Sequence, residues 1–288
     1  PLDIEVNKNI YGYVKYFIKL ARVHGNMDIW IRSYTSMITL PFNRMQSKNI
    51  AVIYHIDDTF KPIHLRLINT IMDKFFYYAL NKADSIVVMS KFWKEYFESQ
   101  GFDNVKLIYT PFDENIFRFK EEEIICFREK YKLTDKPIIY LGNNRKSKGV
   151  VEAYQALKDM DVHLVTSGKI EANIPAINLD LSYRDYLRLL NASSAVITMS
   201  KFKEGWCRTA HEAMLCKTPV IGSGMGGMEE LLEGGNQITC KYFNNLRENV
   251  EYVMEHPELG EKGYNYASQE KFTLSCFGKE WVNLIEEV

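Results

Sequence analysis

Glu204 and Glu212 stand eight residues apart, where a predicted buried strand (residues 195–199) gives way to a polar loop and then to a predicted helix over residues 206–216. A helix that follows the carboxyl end of a parallel strand aims its free N–H groups at the crevice beyond the sheet, where anions bind. Eight residues of helix rise about 12 Å, comparable to the separation of the two sugars at the ends of a nucleoside diphosphate sugar. One carboxylate can then accept hydrogen bonds from hydroxyls of the outer sugar and the other from ribose, with the helix start between them holding the diphosphate. Taken alone, the spacing fits better a glutamate that only complements the helix dipole.

Other residues of the right chemistry are scattered along the chain. Arg145, Lys146 and Lys148 form a basic loop, suited to phosphate or simply to solvent. Gly226-Gly227 would let backbone approach a ligand with no Cβ in the way, or would make a turn. His55 follows an apolar strand, a place for a reacting imidazole or for a structural one. Cys207 and Cys216 read as a packed pair of helix residues rather than a metal or redox site.

The elements that must position these groups alternate. In the first part, residues 10–23 carry apolar side chains at helical spacing, and strands are predicted at 28–32, 49–54, 85–89 and 105–109. Helices are predicted at 65–80 and 91–99. The acidic stretch at residues 119–123 is the best linker, with a short helix after it. Alternation then restarts, with strands at 137–141, 162–166, 195–199 and 219–222 and helices at 150–158, 183–190 and 206–216. From about Leu246 the chain is helical, with a break at His256-Pro257. Short buried strands alternating with helices mean βαβ units and parallel sheets. The fold class is therefore α/β, with two Rossmann-like doubly wound domains facing a cleft. The expected boundaries are 1–118, 119–268 and a final helical segment, 269–288, that crosses back to the first domain.

Composition narrows the function. With 36 basic and 37 acidic side chains the net charge is −1, which argues against a nucleic-acid partner. No apolar run reaches the ~18–20 residues that span a bilayer, and no segment reads as a signal peptide. Five cysteines without a CxxC pair speak against a disulfide scaffold or a zinc ribbon, so a reducing, cytoplasmic setting is expected. The aromatic-rich helices around Tyr16-Phe17 and residues 75–78 read as core, though an exposed part would suit a lipid-linked acceptor at a membrane surface.

The residues around the two glutamates carry a specific resemblance. Glu204-Gly205-Trp206-Cys207, Glu212-Ala213-Met214, Lys217-Thr218-Pro219-Val220-Ile221 and Gly226-Gly227-Met228-Glu229 follow one another in order. This block resembles the E-x7-E region of glycosyltransferase family 4, retaining enzymes of the GT-B fold: EGFG, EAM, G-x-P-V-I and GG..E. Upstream, LGNNRKSKG at residues 141–149 resembles the family's strand and basic loop, VGR…KG. Residues 83–117 resemble the stretch that closes its N-terminal domain, and Tyr54-His55 sits where the family carries a histidine near the acceptor side.

The resemblance implies a retaining, hexosyltransferase-like enzyme that moves a sugar from a UDP- or GDP-sugar to a hydroxyl of an unidentified glycan, protein or lipid. It implies no cofactor and no required metal. Asp57-Asp58 has the wrong spacing for the DxD metal motif of the other glycosyltransferase fold. Lys148 and Arg145, with the backbone N–H groups of Arg208 and Thr209, would neutralise phosphate. Glu204, with Gly205 and Trp206 beside it, would bind the transferred sugar, Glu212 would bind ribose, Gly226 and Gly227 would lie against the sugar, and His55 would face the reacting centre. The sequence departs from the pattern at Asn143, where the family has arginine, at Cys207, and at Lys217, whose replacement of glycine reads as a surface change. The family's first strand and glycine-rich loop have no counterpart near the beginning, which implies an abbreviated N-terminal domain. One alternative is a non-catalytic nucleotide-sugar-binding or scaffold protein of this fold, and a sugar-nucleotide epimerase is a lesser one. A NAD-dependent dehydrogenase lacks its strand–GxGxxG–helix here.

Overall fold

Strand and helix alternate along most of the computed structural model, which describes residues 10–22, 27–42, 47–56 and 66–288. Asp57-Asp58 and the residues before Ile10 lie outside them. The described part begins with α1 (Ile10–Ala21), β1 (Ile29–Ser33), α2 (Tyr34–Met37), β2 (Lys48–Ile53), α3 (Arg66–Leu80), β3 (Ser85–Val88), α4 (Lys91–Ser99) and β4 (Val105–Leu107). These four strands form a parallel sheet in the order β1-β2-β3-β4. The apolar runs of β2 and β3 are buried nearly throughout, as strands covered on both faces require.

The chain continues through α5 (Glu121–Lys130), β5 (Ile138–Asn143), α6 (Val150–Leu157), β6 (His163–Ser167), β7 (Ile177–Leu179) and α7 (Tyr183–Ala192). Next come β8 (Ala195–Thr198), α8 (Arg208–Leu215), β9 (Val220–Gly222), α9 (Gly227–Gly234) and β10 (Ile238–Thr239). Three helices end it: α10 (Leu246–Glu255), α11 (Glu258–Ala267) and α12 (Leu274–Glu287). The second sheet is also all parallel, in the order β10-β9-β8-β5-β6-β7. Counted from β5, that is the 3-2-1-4-5-6 order of a doubly wound dinucleotide-binding sheet. Its core packs Ile139, Ile197 and Ile221 of the strands against Val150 of α6 and Val250 of α10.

Packing divides the chain into two units. One holds the described residues up to Met89 together with Lys94–Ile108 and Glu280–Val288; the other holds Ser90–Trp93 and Tyr109–Lys279. The expected boundary had been residue 118. From Tyr109 onward, however, side chains already belong to the second unit: Tyr109 lies edge-on to Trp206, and Phe112 stacks on His211 at 4.0 Å. The acidic residues read as a linker are instead the first turn of α5, where Glu121, Glu122 and Glu123 complement the helix dipole. In the first unit Lys106 meets Glu287 near the end of α12 at 2.6 Å.

Two short strands and two helices, α9 and the four-residue α2, are absent from the sequence reading. β7 and β10 have three and two residues, too few to display a period. α9 begins at Gly227, inside a pair of glycines that reads as a turn.

Candidate functional site

The strand order reverses between β5 and β8, and the crevice beyond the carboxyl ends of such a pair is where doubly wound sheets bind ligands. Two loops meet there. The first leaves β5 at Asn143 and passes Arg145 into a single 3-10 turn, Lys146–Lys148, closed by Gly149 at φ 72°. Gly149 is required: a Cβ would collide with the Met199 carbonyl and lie 2.8 Å from the Phe243 ring. The second loop leaves β8 and runs through Ser200 to Glu204. The Lys201 N–H donates to the Ser147 carbonyl at 2.9 Å and ties the loops together.

Glu204 is buried, with 7% of its surface exposed. Its carboxylate accepts hydrogen bonds from Lys148 Nζ and, at 2.5 Å, from the Ser200 hydroxyl. Its backbone is clamped as well. Glu204 N donates to the Met225 carbonyl at 3.1 Å, Gly227 N to the Glu204 carbonyl at 2.8 Å, and the Trp93 indole to the same carbonyl at 2.9 Å. Two of the sequence candidates, Lys148 and Glu204, are thus brought into direct contact. Arg145 stands apart, exposed and 3.6 Å from Glu171.

Gly226 and Gly227 pack closely against the protein's own chain. Gly226 has φ 71°, and a Cβ there would fall 2.8 Å from Glu204 N. A Cβ on Gly227 would strike the Gly205 carbonyl and come within 2.6 Å of the Ser90 hydroxyl. The space left by the missing side chains is filled by the backbone of residues 203–205 and, at Gly227, also by the Ser90 side chain, which holds Glu204 in place.

The helix after Glu204 starts later than its apolar pattern suggests. Cys207 is the N-cap and Arg208 the first residue of α8, so residues 204–207 are not helical and the rise of about 12 Å does not apply to them. Cys207 and Cys216 cap opposite ends of α8 rather than packing as a pair. Burial first, and then the nearby Glu204 carboxylate, push the Cys207 thiol up to about 12, so it stays a protonated, inert group. Thr209 lies in the first turn beside Arg208. The Trp206 indole is buried and gives its N–H to His211 Nδ1 at 3.1 Å, leaving the side chain no donor for a ligand.

Glu212 is buried as well, and desolvation raises its pKa despite favourable contacts with three residues, Tyr186, Arg208 and Tyr183. Its Oε1 accepts from the Tyr183 hydroxyl and from Arg208 Nη2, each at 3.1 Å, and its Oε2 from the Tyr186 hydroxyl at 2.9 Å. Neither tyrosine was a sequence candidate. The signal lay in their spacing, since residues three apart at the start of a helix share one face. Ser200, Ser90 and Trp93 were missed for want of any local pattern. His55 follows β2 in the first unit and is partly buried. Lys217 is more than a surface change: it adopts φ 59° after the end of α8, the left-handed conformation for which glycine is suited.

The profile of the family described as glycosyl transferases group 1 matches residues 121–270. An uncharacterized glycosyltransferase of Methanocaldococcus jannaschii is 25% identical over 243 residues, 77% of this chain and 66% of that one. A trehalose synthase of Pyrococcus horikoshii is 28% identical over 181 residues, 53% of this chain and 44% of that one. The chain thus spans less than two thirds of the length of either relative. Among solved structures, that of Anabaena HepE in complex with UDP-glucose superposes with a TM-score of 0.76 at 18% identity, covering 96% of this chain and 82% of that one. The two parallel sheets therefore belong to the GT-B fold of Rossmann-like domains. A match over more than half of the 288 residues, centred on the sheet that carries Lys148, Glu204 and Glu212, makes this chain a member of the group 1 glycosyl transferase family.

Proposed function

We propose that the protein is a retaining glycosyltransferase of the E-x7-E type, which binds a nucleoside diphosphate sugar in its second unit and passes the sugar to an acceptor hydroxyl. The observation that carries this reading is the Lys148–Glu204 pair at the sheet's switch point, a cation and a buried carboxylate side by side just before the start of α8. The diphosphate draws Lys148 away from Glu204, which frees the carboxylate to accept hydroxyls of the sugar. Arg145 and the N–H groups of Arg208 and Thr209 supply the remaining positive potential, so charge neutralisation is assigned to the protein and no step to a metal. Glu212 receives the ribose. His55, from the first unit, is assigned to the acceptor side.

In the reaction the bond from the anomeric carbon to the diphosphate oxygen breaks, and a bond to the acceptor oxygen forms on the same face. The acceptor's proton passes to the departing diphosphate. No side chain acts as nucleophile, so the contribution of the protein is positioning and stabilisation of the leaving charge. The HepE complex with UDP-glucose supports a uridine donor, with a guanosine donor the next choice.

Thermal unfolding with UDP-, GDP- and ADP-sugars tests the donor site. A donor at a hundred times its Kd stabilises the native state by about 2.7 kcal/mol. Transfer is followed by NMR of the product's anomeric configuration, with retention expected and transfer lost in Glu204→Ala. Stabilisation without transfer to any acceptor would favour the non-catalytic alternative, and an inverted product would refute retention.

A further inference from the structure

The hydrogen bonds already made by Glu212 leave too little room for a ribose. A carboxylate offers about two acceptor positions on each oxygen. On Oε1 both are taken, by Tyr183 and Arg208, and on Oε2 one is taken, by Tyr186. A vicinal diol that donates two hydrogen bonds therefore needs one of these three donors to leave. Tyr186 is held more firmly, because its half-buried ring stacks on the Tyr183 ring and packs edge-on against Tyr140. Loss of Arg208 would remove from the buried Glu212 carboxylate the positive charge that, among the described residues, contacts it. Tyr183 is the first residue of α7 and is 50% exposed, and its hydroxyl, which donates to Glu212 and also meets Arg208, can swing out to solvent.

We infer that Tyr183 is the gate of the ribose end: its hydroxyl holds on Glu212 Oε1 the place of a ribose hydroxyl, and nucleotide binding exchanges one for the other. The inference rests on the reading that Glu212 receives ribose. It makes Tyr183 a specificity-determining residue, because a nucleotide without ribose hydroxyls leaves the phenol in place and gains nothing from Glu212. Exchange rather than addition also means that each binding event gives up one hydrogen bond to a charged group, which lowers the affinity of the wild type.

The test is calorimetric titration of wild type and Tyr183→Phe with UDP, GDP and ADP and with their 2′,3′-dideoxy counterparts. Removing the competing hydroxyl is expected to tighten binding of the accepted ribonucleotide roughly 3- to 10-fold. Affinity for its dideoxy form should be the same in both proteins. Tyr183→Leu, which also lacks the hydroxyl, serves if the first variant folds poorly. Unchanged or weaker ribonucleotide binding in both variants would overturn the gate, as would an equal gain for both forms, since a purely structural effect moves both alike. If wild type binds none of the three ribonucleotides, or binds them no better than their dideoxy forms, the assignment of ribose to Glu212 fails, and the gate with it.

Discussion

Acid should unfold this protein through one buried imidazole. His211 is fully buried, stacked on Phe112 at 4.0 Å and edge-on to Phe272 at 4.7 Å. Its Nδ1 accepts from the Trp206 indole at 3.1 Å and its Nε2 lies 2.9 Å from the Ala267 carbonyl, which together require the neutral Nε2–H tautomer. Burial holds its pKa down to about 3, with smaller contributions from Lys271 and Arg208 outweighed in part by the Ala267 bond. Because folding lowers the pKa, the unfolded chain takes up the proton first as pH falls. The stabilisation is whole above about pH 6.5 and drains away as the solution is acidified toward the folded value. Between pH 7 and pH 5 the loss is about 2 kcal/mol, and any folded pKa well below 5 gives the same figure. Urea unfolding followed by tryptophan fluorescence measures it directly, since Trp206 is in contact with His211. In His211→Gln the stability at pH 7 is lower, but its decline from pH 7 to pH 5 should be shallower by about 2 kcal/mol. Parallel curves for the two proteins over that interval would refute the burial of a neutral imidazole.

Two further predictions concern the clamp around Glu204. Gly227→Ala places a Cβ against the Gly205 carbonyl and 2.6 Å from the Ser90 hydroxyl, so it should cost about 1–3 kcal/mol and weaken donor binding; Gly278→Ala on α12, with nothing within 4 Å, should instead be neutral or raise stability by up to about 1 kcal/mol, and thermal melts of the pair compare them. Lys148→Met leaves the Glu204 carboxylate buried with the Ser200 hydroxyl as its remaining donor, so it should destabilise by about 3 kcal/mol, and adding Glu204→Gln should recover most of that loss; additive losses in the double-mutant cycle would show that the pair is not coupled.

Much of this was legible in the residues themselves. Hydrophobic period alone identifies β2, β3, β5 and β8 to within a residue or two, because a buried strand of four to six apolar residues between turns has few other readings. The Glu204–Glu212 spacing, the Thr218-Pro219-Val220-Ile221 run and Gly226-Gly227 mark the segment that carries the candidate site. What the residues could not display is non-local. Lys148 and Glu204 are 56 positions apart, and they meet because β8 docks beside β5 rather than beside β7, its nearest predecessor in the chain. The two tyrosine partners of Glu212 come from α7, and the space beside Gly227 is claimed by Ser90 from far upstream. Periodicity is a property of neighbours in the chain and can be read from them. Strand order, and with it the choice of which buried carboxylate meets which cation or phenol, is settled only when the helices close over both faces of the sheet.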